Sequence, residues 1–146
     1  MKIKIGLVGL LVLILIQFIP FERNKSADSL PNLELKETAN GEPLDVNLIL
    51  QTSCFNCHSN NTSYPWYSKV SPISWYLENH IRGGKKKLNF SAWESYSEED
   101  NKHLSMEIVE VIEDQYMPLG SYTLIHSEAK LSEENKALLI QYFKLP

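Results

Sequence analysis

An apolar run from Ile5 to Phe21 opens the chain, with Gln17 as its polar interruption. The run spans 17 residues and follows Lys2 and Lys4. As a helix it would be about 25 Å long, and snorkelling of Lys4 would bring it close to the roughly 30 Å of a hydrocarbon core. No Ala-x-Ala site follows the run. Residues 1–21 therefore predict an uncleaved N-terminal membrane helix, with a cleavable signal peptide as the alternative.

The lysines that precede the run predict a cytoplasmic N-terminus, so the remainder of the chain would be exported. We therefore expect inner-membrane localisation with the rest of the protein facing the periplasm. Residues 22–43 are polar and contain Pro31, Gly41 and Pro43, without a sustained hydrophobic period. They predict a spacer, in which only a few leucines could pack against the following domain.

From residue 44 onward the apolar positions recur at helical spacing, which predicts an all-α domain over residues 44–146. Four helices are expected. The first follows Asp45, the second begins at Ser71-Pro72 and stops at Gly83-Gly84, the third is capped by Ser97 and ends near Gln115, and the last runs from Ser132 to Lys144. The length of 146 residues and a hydrophobic fraction of 43% fit one globular domain after the N-terminal segment. The net charge of −4 argues against nucleic acid as a partner.

Both cysteines of the chain lie in one five-residue motif, Cys54-Phe55-Asn56-Cys57-His58. The Cys-x-x-Cys-His spacing is typical of c-type haem attachment, in which each thiol adds to a haem vinyl group and the adjacent imidazole binds the iron. The predicted cofactor is thus one covalent haem c, bound by Cys54 and Cys57, with His58 as an axial ligand. Covalent attachment of this kind occurs on the exported side in bacteria, which agrees with the predicted export.

Three other interpretations of the two cysteines remain open. A zinc site would need further ligands at regular spacing, and only His80, His103 and His126 are left to supply them. A thioredoxin-like redox pair would need a strand before the motif, where the pattern predicts a helix. A disulfide across so short a loop would constrain little.

Met117 is the expected second axial ligand, because it follows a predicted helix and precedes Pro118, which stiffens the loop. His80 is the second choice, and an open iron position or a Met117 that only fills the core are the alternatives. Trp66 and Tyr67 are expected to cover the haem, or equally to form part of an ordinary core.

The chain resembles the bacterial haem-binding domain proteins that carry a modified cytochrome c pattern. The resemblance covers roughly residues 44–143 and rests on Cys54–Asn60, Tyr64–Ser68, Pro72–Trp75, His80-Ile81, Leu88–Ser91 with Trp93, Met117-Pro118, His126, Ala129, Leu131 and Ser132. It implies a cytochrome c-like fold, thioether attachment at Cys54 and Cys57, iron ligation by His58 and distal ligation near Met117. One departure is Lys85 after Gly84, where an arginine is expected; lysine is the weaker partner for a haem propionate.

These features favour a membrane-tethered periplasmic monohaem c-type cytochrome that carries electrons between redox partner proteins, and not an enzyme. Two protein ligands would saturate the iron and block access of a substrate. The alternative is a haem-based peroxidase or a gas or redox sensor with an open or displaceable sixth position, in which a histidine such as His80, His103 or His126 acts as acid or base.

Overall fold

The computed structural model describes residues 2–20, 22–24 and 29–145, so the predicted boundary at residue 21 and residues 25–28 of the predicted spacer lie outside it. The described chain is mostly helical, as predicted. Its α-helices are α1 (Lys2–Leu15), α2 (Asn47–Ser53), α3 (Phe55–His58), α4 (Ile73–Lys87), α5 (Glu98–Glu113), α6 (Gly120–Thr123) and α7 (Glu133–Lys144). Short 3₁₀ helices span Ile16–Phe18, Trp66–Lys69, Phe90–Ser95 and Ser127–Ala129, and the strands β1 (Lys36–Glu37) and β2 (Pro43–Leu44) form an antiparallel pair.

The N-terminal apolar run is only partly α-helical. Helix α1 has 14 residues, or about 21 Å at 1.5 Å per residue. A 3₁₀ turn follows, and Ile19 is extended (φ −80°, ψ 111°), because the residue before a proline, here Pro20, avoids the helical region. Among the described residues, no helix has the length and apolar content needed to cross a membrane. The N-terminal membrane helix expected from the run is therefore not found.

Part of the predicted spacer packs with the domain. Lys36 pairs with Leu44 in the two-stranded sheet, and Leu33 just before it is 3% exposed within the core. The Tyr142 hydroxyl of α7 donates to the carbonyl oxygen of Glu34 (2.7 Å). Residues 33–44 therefore belong structurally with the helices. Their buried leucines, Leu33 and Leu44, pack in the core that the helices form.

Two predicted helix starts are confirmed by their caps. The Ser97 hydroxyl accepts a hydrogen bond from the Asp100 N–H at the start of α5, and the Ser132 hydroxyl accepts one from the Asn135 N–H at the start of α7. The predicted cap of α4 is wrong, since α4 begins at Ile73 and the Ser71 hydroxyl makes no cap hydrogen bond. Its predicted end at the two glycines is also wrong, because α4 continues to Lys87.

The core lies where α5 and α7 pack on each other and on the sheet and α2. Burial of these apolar side chains is the main stabilising term of so small a domain. The buried members are Leu33, Leu44, Val46, Leu50, Phe55, Phe90, Ile108, Val109, Ile112, Leu131, Leu139, Tyr142 and Phe143. Phe55 belongs to α3, so the core directly supports the helical turn that carries the second cysteine and the histidine.

Candidate haem site

The Cys-x-x-Cys-His motif folds as a single helical turn at the end of α2. Cys54 joins α2 to α3, and its carbonyl oxygen accepts hydrogen bonds from the N–H groups of Cys57 (3.1 Å) and His58 (2.9 Å). Residues three and four apart lie on the same side of a helical turn. The backbone therefore brings both thiols and the imidazole to one side of α3.

Both cysteines are free thiols, and each is half-buried. Burial, with a smaller contribution from Cys57, raises the pKa of Cys54 to about 12, and burial also raises the pKa of Cys57. Redox-active Cys-x-x-Cys pairs have a lowered pKa instead, so this environment disfavours the thioredoxin-like interpretation. In the described part of the chain, no group of three or more His, Cys, Asp or Glu side chains is placed to hold a metal ion.

His58 is held as a neutral imidazole with one nitrogen free. Its Nδ1 lies 3.2 Å from the carbonyl oxygen of Leu88, just after α4. A carbonyl only accepts, so Nδ1 carries the proton and Nε2 keeps its lone pair. Burial lowers the pKa of His58 and is only partly offset by the backbone carbonyls of Leu88 and Gly84. His58 is half-buried, and a neutral imidazole whose other nitrogen is hydrogen-bonded is the form that binds a metal.

Gly84 allows α4 to lie directly against this turn. A Cβ atom built on Gly84 would be 2.9 Å from the carbonyl oxygen of Cys57 and 3.4 Å from Cε1 of His58. The sequence predicts a helix stop at the glycine pair, but Gly84 instead provides the space for helix α4 to pass α3. This close approach also brings Leu88 within reach of His58.

Asn56, inside the motif, anchors two neighbouring segments. Its Nδ2 donates to the Tyr122 hydroxyl of α6 (2.8 Å), and its Oδ1 accepts from the Ser63 N–H (2.9 Å). Its carbonyl oxygen accepts from the Thr62 hydroxyl (2.8 Å). Neither Asn56 nor Tyr122 was identified from the sequence, where a polar residue between two cysteines gives no signal of its partners.

The two aromatic candidates differ in environment. Trp66 is 79% exposed and contacts Tyr67 edge-on. The Tyr67 hydroxyl lies 2.6 Å from Nε2 of His126, whose Nδ1 lies 3.1 Å from the Glu128 carboxylate. Since a carboxylate only accepts, Nδ1 of His126 is the donor in its contact with Glu128. Burial, followed by the charges of Cys57 and Glu128, raises the pKa of Tyr67.

The two candidates for the second axial ligand lie in different settings. Met117 is half-buried in the loop after α5, where Gln115 has a left-handed backbone (φ 60°) and the Met117 N–H donates to the Val111 carbonyl (3.1 Å). His80 lies on α4 and is also half-buried; its Nδ1 donates to the carbonyl of Tyr76 (2.8 Å) and its ring centroid is 4.1 Å from that of Tyr76. Both assignments stay predictions.

The donor set fits a haem. Cys54 and Cys57 carry thiols that have no other covalent partner, and His58 offers a free Nε2 beside them. These three residues are the ones that could hold the group.

The family model described as "Haem-binding domain" matches residues 11–145. No curated protein and no solved structure matches the chain. The family match covers far more than half of the sequence and includes the whole motif at Cys54–His58. The chain therefore belongs to the haem-binding domain family.

Proposed function

We propose that the chain is a monohaem c-type cytochrome that carries electrons on the periplasmic side of the inner membrane. Cys54 and Cys57 would hold the haem through thioether bonds, and Nε2 of His58 would bind its iron. A haem bound in this way supplies a centre that accepts and releases one electron.

The observation that carries the proposal is the state of His58. An imidazole whose Nδ1 proton is committed to Leu88 has a fixed ring orientation and a single available lone pair. Burial lowers its pKa, so protonation does not compete for that lone pair at neutral pH. The chain thus prepares a metal ligand within the same helical turn as both thiols.

Met117 is proposed as the second ligand, because a thioether opposite a histidine would raise the reduction potential and close the site to substrates. The test is the optical spectrum of the haem-loaded full chain, oxidised and reduced, with and without carbon monoxide. We expect a low-spin spectrum that carbon monoxide does not alter, and Met117→Ala should convert it to a high-spin spectrum. An unchanged spectrum in Met117→Ala would exclude this ligand and make His80→Ala the next variant to examine.

The proposed redox partners are proteins that present an acidic surface. Lys86 and Lys87 are exposed in the last turn of α4, directly before Leu88, whose carbonyl accepts the hydrogen bond from His58. Exposed charges of one sign accelerate association with an oppositely charged partner and are screened by salt. Electron transfer to an acidic acceptor protein should therefore slow as ionic strength rises, and a rate independent of salt would contradict this docking surface.

Membrane attachment is proposed through lipid contact of α1. Its apolar side chains are exposed on all sides, from Ile5 (65%) to Leu15 (56%), and such a helix is stable in water only when another apolar phase covers it. The full chain should float with phospholipid vesicles, whereas a variant that lacks residues 2–15 should not. Equal flotation of the two proteins would contradict lipid contact of α1.

A second candidate function is a haem-dependent peroxidase or gas sensor. It is favoured by the carboxylate-supported imidazole of His126, an arrangement suited to an acid–base group. A high-spin ferric spectrum or rapid carbon monoxide binding by the unmodified chain would favour this candidate over the electron carrier.

A further inference from the structure

Asn24 lies in the segment between α1 and β1 and binds the helical domain through its backbone N–H and its side-chain amide. Its backbone N–H donates to the Tyr64 hydroxyl (2.6 Å). Its Nδ2 donates to the Ser59 carbonyl (2.9 Å) and to the Thr62 hydroxyl (2.7 Å). Its Oδ1 accepts from the Lys85 ammonium (2.5 Å). An asparagine side chain has two N–H donors and one carbonyl acceptor, so each of these groups is satisfied.

The loop that Asn24 binds is the one that directly follows His58. Within this loop the buried Ser59 hydroxyl donates to the Phe55 carbonyl (2.7 Å), and the Thr62 hydroxyl donates to the Asn56 carbonyl (2.8 Å). Both carbonyls belong to the α3 turn. Ser59 and Thr62, which bind Asn24, are therefore each joined to the backbone of the haem motif by one hydrogen bond.

Lys85 connects Asn24 to the other side of the site. It follows Gly84, the residue that lies against Cys57 and His58. The ammonium group of Lys85 is partly buried against Asn24. Asn24 thus joins α4 to the loop after α3 at the point where these two elements position the imidazole.

A second contact holds the same N-terminal segment. The Gln17 side chain donates to the Ser71 carbonyl (3.0 Å) and accepts from the Ser71 N–H (2.9 Å), close to the start of α4. Paired bonds to one residue's backbone fix both distance and orientation. The segment after α1 is therefore attached to the domain at two points, Gln17 and Asn24, and does not behave as a free tether there.

We propose that Asn24 is a positioning residue for the haem site: it holds the 59–64 loop and Lys85 in one arrangement, and thereby orients His58. The inference rests on the proposed function in that His58 is taken as the iron ligand. The segment that was expected to provide reach is, in this proposal, a structural component of the site.

The test compares Asn24→Ala with Asn40→Ala in the full chain. Asn40 lies exposed in the turn between β1 and β2, so its variant controls for loss of an asparagine amide. The first readout is amide hydrogen exchange before haem attachment. Exchange in residues 59–64 of Asn24→Ala should be about tenfold faster, the factor expected when one or two net hydrogen bonds are lost, with exchange in α7 unchanged. Unchanged exchange in the loop would overturn the proposal.

The second readout is the reduction potential of the haem-loaded chain. Asn24→Ala should shift it to a lower value, because a loosened loop admits water to the site, and Asn40→Ala should not shift it. Faster loop exchange with an unaltered potential would overturn the positioning role. If Asn24→Ala does not fold, Thr62→Val replaces it in the test. This variant removes one of the Asn24 acceptors at nearly constant volume, and it should show the faster loop exchange and the lower potential, each to a smaller extent.

The two proposals fail separately. If the unmodified chain takes up no covalent haem, the proposed cytochrome function fails, while loop exchange still decides whether Asn24 holds the loop.

Discussion

Gly83 and Gly84 adjoin near the end of α4, but only Gly84 faces another part of the chain. A Cβ on Gly84 would lie 2.9 Å from the Cys57 carbonyl oxygen, whereas a Cβ on Gly83 meets nothing within 4 Å. The obstructing atom belongs to the backbone, which cannot rotate aside as a flexible side chain does. Gly84 therefore sets how closely α4 approaches the haem motif.

Gly84→Ala should lower the free energy of unfolding by about 1–3 kcal/mol, because the helix must move away from α3. Gly83→Ala is the matched control and should raise it by about 0.5–1 kcal/mol, since alanine is the better residue in a helix interior. Urea unfolding of the two variants measures both effects. Equal stability of Gly84→Ala and Gly83→Ala would contradict the close packing.

The hydroxyl of Tyr122 is the acceptor for the Asn56 amide, so its removal should loosen α6 from the motif. Tyr122→Phe keeps the ring that stacks on His126 at a centroid distance of 4.4 Å. It should lower the free energy of unfolding by about 1 kcal/mol through the lost hydrogen bond. Tyr116→Phe, at a position 70% exposed, should leave the free energy of unfolding almost unchanged. Thermal unfolding compares the variants, and a Tyr122→Phe as stable as Tyr116→Phe would show that this bond does not hold α6.

Among the elements, the hairpin formed by β1 and β2 extends the domain toward the N-terminus. Leu33 just before it is buried, whereas Leu35, two residues further, is 61% exposed. Leu33→Ala should lower the free energy of unfolding by about 2–5 kcal/mol through the cavity it leaves. Leu35→Ala should stay within about 0.5 kcal/mol. If chemical denaturation showed the same loss of unfolding free energy for Leu33→Ala and Leu35→Ala, residues 33–44 would not belong to the cooperatively folding unit.

Local chemistry made some elements predictable. The starts of α5 and α7 follow from Ser97 and Ser132, because a cap is formed within three residues of the serine. The end of α4 could not be predicted from the local sequence. A glycine pair is a frequent helix stop, but here packing against α3 overrides it. Pro20 within the apolar run accounts for the extended backbone of Ile19, but not for the end of α1 at Leu15.

The same distinction applies to the haem site. Spacing alone identifies Cys54, Cys57 and His58 as the candidates, because c-type attachment would need those side chains in that order. The carbonyl of Leu88, which binds His58, cannot be predicted from spacing. Every residue has a carbonyl, and only the fold determines which one lies beside His58. Asn24 lies 34 residues before His58 and Asn56 binds Tyr122 across 66 residues, so their roles depend on contacts that one sequence does not reveal.

For the molecule as a whole, we propose that one haem is covalently bound through Cys54 and Cys57. The intact mass of the denatured full chain, after expression with bacterial haem-attachment machinery, tests this attachment. We expect the mass of the chain plus one haem, and the mass of the chain alone for the Cys54→Ala/Cys57→Ala variant. A wild-type chain that loses its haem on denaturation would contradict covalent attachment.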